Sequence, residues 1–306
     1  MLSNNRSARA VATRLAAWLM VSAATIASPA PPVAAEDSAS SRSPATKSAL
    51  ASQKRPSLYL IGDSTVKNGR GDGGGGLWGW GQVLASELDL ERINLENEAI
   101  GGRSSGTFLT EGRWDHVLAK LKPGDFVLMQ FGHNDGGQLF DGDRPRASLK
   151  GNSEETRDGV VEMTGEAETV HSYGWYLRHY IADTKAKGAT PVVLSPVPRN
   201  IWKDSHVARA SRDYGKWAAE AAHEGGAEFV DLNEFIARRY EAAGEETVRR
   251  DYFTSADHTH TTKAGAQVNA ECIAAGLRDA ALPLAKYLVD RSAQSEPSHT
   301  SADRSN

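Results

Sequence analysis

The chain has a single cysteine, Cys272, in 306 residues. No intramolecular disulfide can form, so the fold must be held by its core. Set in a helical apolar pattern, Cys272 reads as a buried small hydrophobe. An excess of basic charge is also missing: the formal net charge is −4, which argues against general binding to nucleic acid or an anionic membrane surface. No apolar run reaches the roughly 20 residues a spanning helix needs, so no stable membrane insertion is expected. The stretch from Leu15 to Ile26 comes nearest, and it follows Arg6, Arg9 and Arg14 in a first 35 residues that contain no acid. Ending in Val33, Ala34 and Ala35, residues 1–35 have the layout of a secretory signal cleaved near Ala35, which predicts a secreted or periplasmic protein. Its removal takes the formal charge from −4 to −7. No internal repeat is present. The glycine-rich turn from Asn68 to Gly76 lacks a Gly-Lys-Ser/Thr ending and a Gly-x-Gly-x-x-Gly that opens directly into a helix, so it reads as a surface loop rather than a phosphate cradle.

Residues 36–55 are rich in Ser, Ala and basic residues without apolar periodicity and read as a linker; residues 291–306 read as a tail of the same kind. Between them, residues 56–290 alternate short β-type runs with amphipathic helical stretches, the pattern of an α/β layered domain with a mainly parallel five-stranded sheet. Strands are expected from Ser57 up to the Gly62-Asp63-Ser64-Thr65 turn and at Arg92–Asn97, Phe126–Phe131, Thr190–Leu194 and Ala227–Val230. Helices are expected at Trp78–Leu88, Trp114–Leu121, Val170–Lys187, Ser211–His223, Asn233–Ala243 and Lys263–Leu282. The aperiodic stretch from Gln138 to Thr169 is too long for a passive connection and is either a functional loop or a small subdomain.

Polar clusters stand at the ends of the first three strands and before the last helix. In an open parallel sheet those strand ends converge on one crevice. Ser64, in a Gly-Asp-Ser-Thr turn directly after the first strand, is a candidate nucleophile. His260 is the candidate base and Asp257 the candidate carboxylate that orients it. The backbone N–H groups of Ser64 and Gly102 and the side-chain amide of Asn134 are candidate oxyanion donors. Together these residues suit acyl transfer, with no cofactor and no metal required.

These blocks carry a resemblance. Gly62-Asp63-Ser64, Gly102, Gly132-His133-Asn134-Asp135 and Asp257-His258-Thr259-His260 resemble the four blocks of the SGNH/GDSL hydrolase superfamily, in order and across the whole domain. Ile100 to Ser104, Phe131 to Gly137, Asp257 to Thr261 and Ala264 to Ala266 further resemble rhamnogalacturonan acetylesterases and their bacterial relatives. The resemblance implies a flavodoxin-like three-layer α/β/α fold and a serine esterase acting on an acetylated polysaccharide or oligosaccharide. It also implies Ser64 as nucleophile, Gly102 and Asn134 as oxyanion donors, Asp257 as orienter and His260 as base.

For the substrate itself, Trp78, Trp80, Trp202 and Tyr252 offer rings on which apolar sugar faces can rest. Arg103, Arg144, Arg146, Lys150 and Arg199 offer cations to sugar carboxylates, and His133 stands at the same crevice. Three rival readings compete. Gly102 to Gly106 also matches the Gly-x-Ser-x-Gly nucleophile elbow, with Ser104 as its serine, although the preceding strand ends at Asn97. The donors Asp63, His133, Asn134, Asp135, Asp257, His258 and His260 suit a metallophosphoesterase. A carbohydrate-binding relative with a decayed site is the third. Within the superfamily, xylan, long-chain acyl esters and thioesters are the alternative substrates.

Overall fold

The computed structural model describes residues 55–69, 73–255 and 257–290. The expected signal segment, most of the linker and the tail lie outside the described residues. Five strands form one parallel sheet: β1 (Ser57–Gly62), β2 (Asn94–Asn97), β3 (Phe126–Gln130), β6 (Thr190–Leu194) and β9 (Glu228–Val230), in the spatial order β2-β1-β3-β6-β9. This is the doubly wound order in which the direction of winding reverses between β1 and β3, and that reversal opens a crevice at their carboxyl ends. The three-layer α/β/α reading therefore holds.

Alternation along the strands divides the core between the two faces of the sheet. Leu58 and Leu60 of β1 and Leu128 of β3 pack with α5 (Leu232–Ala243) and α6 (Lys263–Asp279). Tyr59, Ile61, Val127 and Met129 face the other way, against α1 (Ser105–Thr110), α2 (Arg113–Lys120), α3 (Tyr173–Ala186) and α4 (Tyr214–Gly225). Because both faces are covered, β3 is apolar almost throughout. Its one exception, Gln130, is fully buried. Cys272 is buried in α6, where burial pushes its thiol up to about 12.

Two helix expectations change. The Trp78–Leu88 stretch forms two 3-10 turns, Trp80–Gln82 and Leu84–Glu87. The Trp80 and Gly81 amides are drawn to the carbonyls of Thr65 and Val66, at 2.9 Å each, instead of into a helical ladder. The third long helix starts at Tyr173 rather than Val170, with Ser172 capping it by accepting from the Trp175 amide at 3.1 Å. Val170 belongs instead to a hairpin of β4 (Thr156–Val160) and β5 (Ala167–His171), so the long aperiodic stretch contains a small β-subdomain. The short α1 and a two-residue hairpin of β7 (Trp202–Lys203) and β8 (His206–Val207) complete the elements that the sequence pattern did not announce.

Candidate active site

Ser64 sits two residues beyond β1 in a turn that only glycine can begin. A Cβ on Gly62 would lie 2.4 Å from the Gln130 carbonyl and 2.5 Å from Val66 Cγ2. A buried relay holds the turn from beneath. The Asp63 carboxylate accepts from the Thr65 amide (2.8 Å) and hydroxyl (2.7 Å), Gln130 donates to the Thr65 hydroxyl (2.8 Å), and the Trp80 indole donates to Gln130 (2.8 Å). The other Asp63 oxygen meets His133 Nδ1 at 3.2 Å, and His133 Nε2 meets the Val197 carbonyl at 3.0 Å. Burial alone would push the Asp63 carboxyl up; His133 beside it, with the bonds from His133 and Thr65, outweighs burial and holds it below the usual carboxylate value.

The loop before α6 brings the base to the serine. His260 Nε2 lies 2.8 Å from Ser64 Oγ, and His260 Nδ1 lies 2.5 Å from Asp257 Oδ2. Asp257 Oδ1 accepts from the Thr259 and His260 amides at 2.5 and 3.2 Å, which curls the loop so that carboxylate and imidazole meet. Burial raises the Asp257 carboxyl, but the bonds from His260 and the two amides prevail and leave it lowered. The loop is stitched to the strand that leaves the Ser64 turn: the Trp78 amide donates to the Thr261 carbonyl (2.8 Å), and the Thr261 hydroxyl donates to the Trp78 carbonyl (2.9 Å). Thr262 then caps α6 by accepting from the Gly265 amide.

Opposite His260 lie the loops that follow β2 and β3. Gly102 adopts φ +81°, a conformation that favours glycine. A Cβ on its neighbour Gly101 would sit 3.5 Å from Ser64 Cβ, so this loop abuts the serine. Asn134 donates one amide hydrogen to the Arg103 carbonyl at 3.0 Å, leaving the second hydrogen uncommitted. Arg146 Nη1 donates to the Gly102 carbonyl at 3.0 Å. The two carbonyls that follow the Gly102 amide are thus both pinned. The Ser64–His260 hydrogen bond can move a proton from a serine hydroxyl to an imidazole.

A profile of the GDSL-like lipase/acylhydrolase family matches residues 60–268. The chain belongs to this family. It is 34% identical over 224 residues to a rhamnogalacturonan acetylesterase of Emericella nidulans, a match covering 73% of this chain and 85% of that one. It is also 34% identical over 235 residues to a probable rhamnogalacturonan acetylesterase, YesY, of Bacillus subtilis, covering 76% and 97%. The crystal structure of YxiM from B. subtilis superposes with a TM-score of 0.61 at 24% identity, over 75% of this chain and 58% of that one, and shares the fold. The protein is a carboxylic ester hydrolase.

In this GDSL-family esterase, several expected site residues serve other purposes. Trp80 is no sugar platform: it is fully buried and ends the relay beneath Ser64. His133 does not meet substrate either, because both its nitrogens are committed to Asp63 and Val197 and its side chain is 6% exposed. Ser104 is fully buried as the N-cap of α1, accepting from the Thr107 amide at 3.0 Å, so the elbow motif is a capping motif. Arg103 pairs with Glu111 at 3.0 Å. Arg199 braces the site loops, donating to the Thr259 hydroxyl and the His133 carbonyl at 3.2 and 3.3 Å. Trp78 is partly buried, with the Lys263 ammonium 5.0 Å from its ring centre. Among the described residues no three His, Cys, Asp or Glu side chains gather as metal ligands; Asp63 and His133 form one pair, Asp257 and His260 another. The relay through Gln130 and Thr65 was not read from the sequence, although a glutamine inside an otherwise apolar central strand was its signal.

Asp135 links the loop after β3 to α1. Its Oδ1 accepts from the Ser105 amide (2.9 Å), the Ser105 hydroxyl (2.5 Å) and the Ser148 hydroxyl (3.0 Å), whereas its buried Oδ2 has no partner among the described residues. Burial outweighs those bonds and raises the carboxyl from 3.8 to about 6. A carboxyl raised on folding binds its proton more tightly in the folded state, so its contribution is fully present below pH 3.8 and is lost as pH rises through about 6. Asp135→Asn is therefore expected to gain stability relative to the parent by about 2 kcal/mol on going from pH 4 to pH 7. Urea unfolding at both pH values checks this, and a difference that does not change with pH would contradict it.

Proposed function

We propose that this protein is a secreted serine esterase that removes acetyl groups from a cell-wall polysaccharide, with acetylated rhamnogalacturonan as its first substrate. The observation that carries the reading is the unbroken chain from Ser64 Oγ through His260 to Asp257, at 2.8 and 2.5 Å. Ser64 attacks the acetyl carbonyl while His260 takes its proton. The N–H groups of Ser64 and Gly102 and the free amide hydrogen of Asn134 receive the oxyanion. A sugar hydroxyl then leaves with the proton returned by His260. Water repeats the cycle on the acetyl-enzyme, releasing acetate and restoring Ser64.

The names of the Emericella and Bacillus relatives support the substrate. The leader-like first 35 residues support export to where such polymers lie. No helix among the described residues is long and apolar enough to cross a membrane. Incubating the purified protein with acetylated rhamnogalacturonan, homogalacturonan and xylan side by side, and measuring acetate released, tests the reading. Fastest release is expected from rhamnogalacturonan. Faster release from xylan, or a preference for long-chain acyl esters, would move the enzyme to another branch of its family.

A further inference from the structure

Five basic side chains stood as candidates to meet an anionic substrate, and the structure commits some of them elsewhere. Arg103 pairs with Glu111, which Arg113 also holds, and donates to the Gly101 carbonyl. Arg199 is spent on Thr259 and the His133 carbonyl. Arg144 and Arg146 differ. Both come from the long segment after β3 and stand beside Gly102. A Cβ there would lie 3.4 Å from Arg146 Nη1 and 3.5 Å from Arg144 Nη2. Neither forms an ion pair within 4.0 Å among the described residues, although Asp143 lines the same cleft. Arg146 is partly buried, and burial first, then the Arg144 charge, pulls its guanidinium below the usual value. Two adjacent cations are thus held together without an ion-pair partner among the described residues, although the Asp63 and Asp135 carboxylates act on Arg146 and partly offset that lowering.

They open onto a cleft of about 350 Å³ between Thr107 of α1 and the turn of the β4-β5 hairpin, where Val161 and Met163 form an apolar wall. Met163 is 66% exposed on this wall. Only the Gly101-Gly102 loop separates these guanidinium groups from Ser64.

We propose that Arg144 and Arg146 form a subsite for a carboxylate carried by the sugar whose ester Ser64 attacks, or by the sugar next to it. The inference rests on the polysaccharide reading above and deepens it. Paired guanidinium groups match a carboxylate in a fixed fork, which a neutral sugar cannot exploit. The apolar wall across the cleft receives the sugar's apolar face. Arg146 has a second task as a positioning residue: the hydrogen that it donates to the Gly102 carbonyl sets the direction of the Gly102 peptide. Occupancy of the subsite is thereby tied to the alignment of an oxyanion donor.

The test uses the full chain on acetylated rhamnogalacturonan with its carboxylates free and on the same polymer methyl-esterified, with 4-nitrophenyl acetate as a third substrate. The parent enzyme is expected to favour the free-carboxylate polymer by about tenfold in kcat/KM. That preference should shrink as sodium chloride rises from about 0.05 to about 0.5 M. Arg144→Gln should collapse the ratio between the two polymers toward one, mainly through KM. Arg146→Gln should also lower kcat on both polymers, and Arg146→Lys should restore part of that loss. Equal rates on the two polymers, or equal losses in Arg144→Gln, overturn the subsite and leave the esterase assignment standing. Release of acetate from neither polymer, with 4-nitrophenyl acetate still cleaved, overturns the polysaccharide reading and the subsite with it.

Discussion

Replacing Ser64 with alanine is expected to lower kcat on an acetyl ester by on the order of 10⁴- to 10⁶-fold, since removal of a nucleophile leaves only the donors and binding to assist water. The substitution removes one oxygen. Ser64 Oγ bonds to His260 Nε2 and is not part of the relay through Asp63, Thr65 and Gln130, so the turn is expected to survive. Thermal unfolding within a few degrees of the parent, with substrate binding retained, would separate lost chemistry from lost structure. Ser104→Ala provides the contrast. It is expected to keep its turnover while losing about 1 kcal/mol of stability, the usual effect of deleting an N-cap. Full activity in Ser64→Ala with none in Ser104→Ala would reverse the assignment.

Asp257→Asn is expected to reduce kcat by about 10⁴-fold with the fold intact. An asparagine oxygen can still accept from the Thr259 and His260 amides, so the loop should keep its curl. The other end of the side chain would then present an N–H to His260 Nδ1 where a carboxylate oxygen now stands at 2.5 Å. The imidazole answers two facing donors by carrying its own hydrogen on Nε2, the nitrogen that must accept from Ser64. A wrong tautomer and an unstabilised imidazolium follow from one atom exchanged. Steady-state kinetics on 4-nitrophenyl acetate at neutral pH checks this, and activity within tenfold of the parent would show that His260 is oriented by something else.

Local patterns revealed the residues at the site more readily than their supports. Ser64, Gly102, Asn134, Asp257 and His260 each stand at a strand end or before a helix, and the order of the parallel strands brings such ends together whatever the detailed packing. The roles of Trp80 and His133 are not legible in the chain, because an aromatic or an imidazole beside a crevice looks the same in sequence whether it faces solvent or the interior. Burial decides that, and here both are enclosed and committed to the turn beneath Ser64. The β4-β5 hairpin is not legible in the chain because Arg157, Asp158 and Glu168 put charge at positions where an apolar alternation would mark a strand. Its exposed residues bury too little to need one.

Five parallel strands were legible in the chain, as were the strand-end and loop residues Ser64, Asp257 and His260 that the structure brings within hydrogen-bond distance of one another. Those follow from local periodicity and from short motifs whose spacing survives in any chain of this fold. Only the tertiary structure decided which of the basic residues is free. Arg103 and Arg144 are equally plausible as cations in the chain, but Glu111 lies 3.0 Å from the first, and among the described residues no carboxylate forms an ion pair with the second. Charge pairing depends on where distant segments meet, and that is a property of the folded molecule alone.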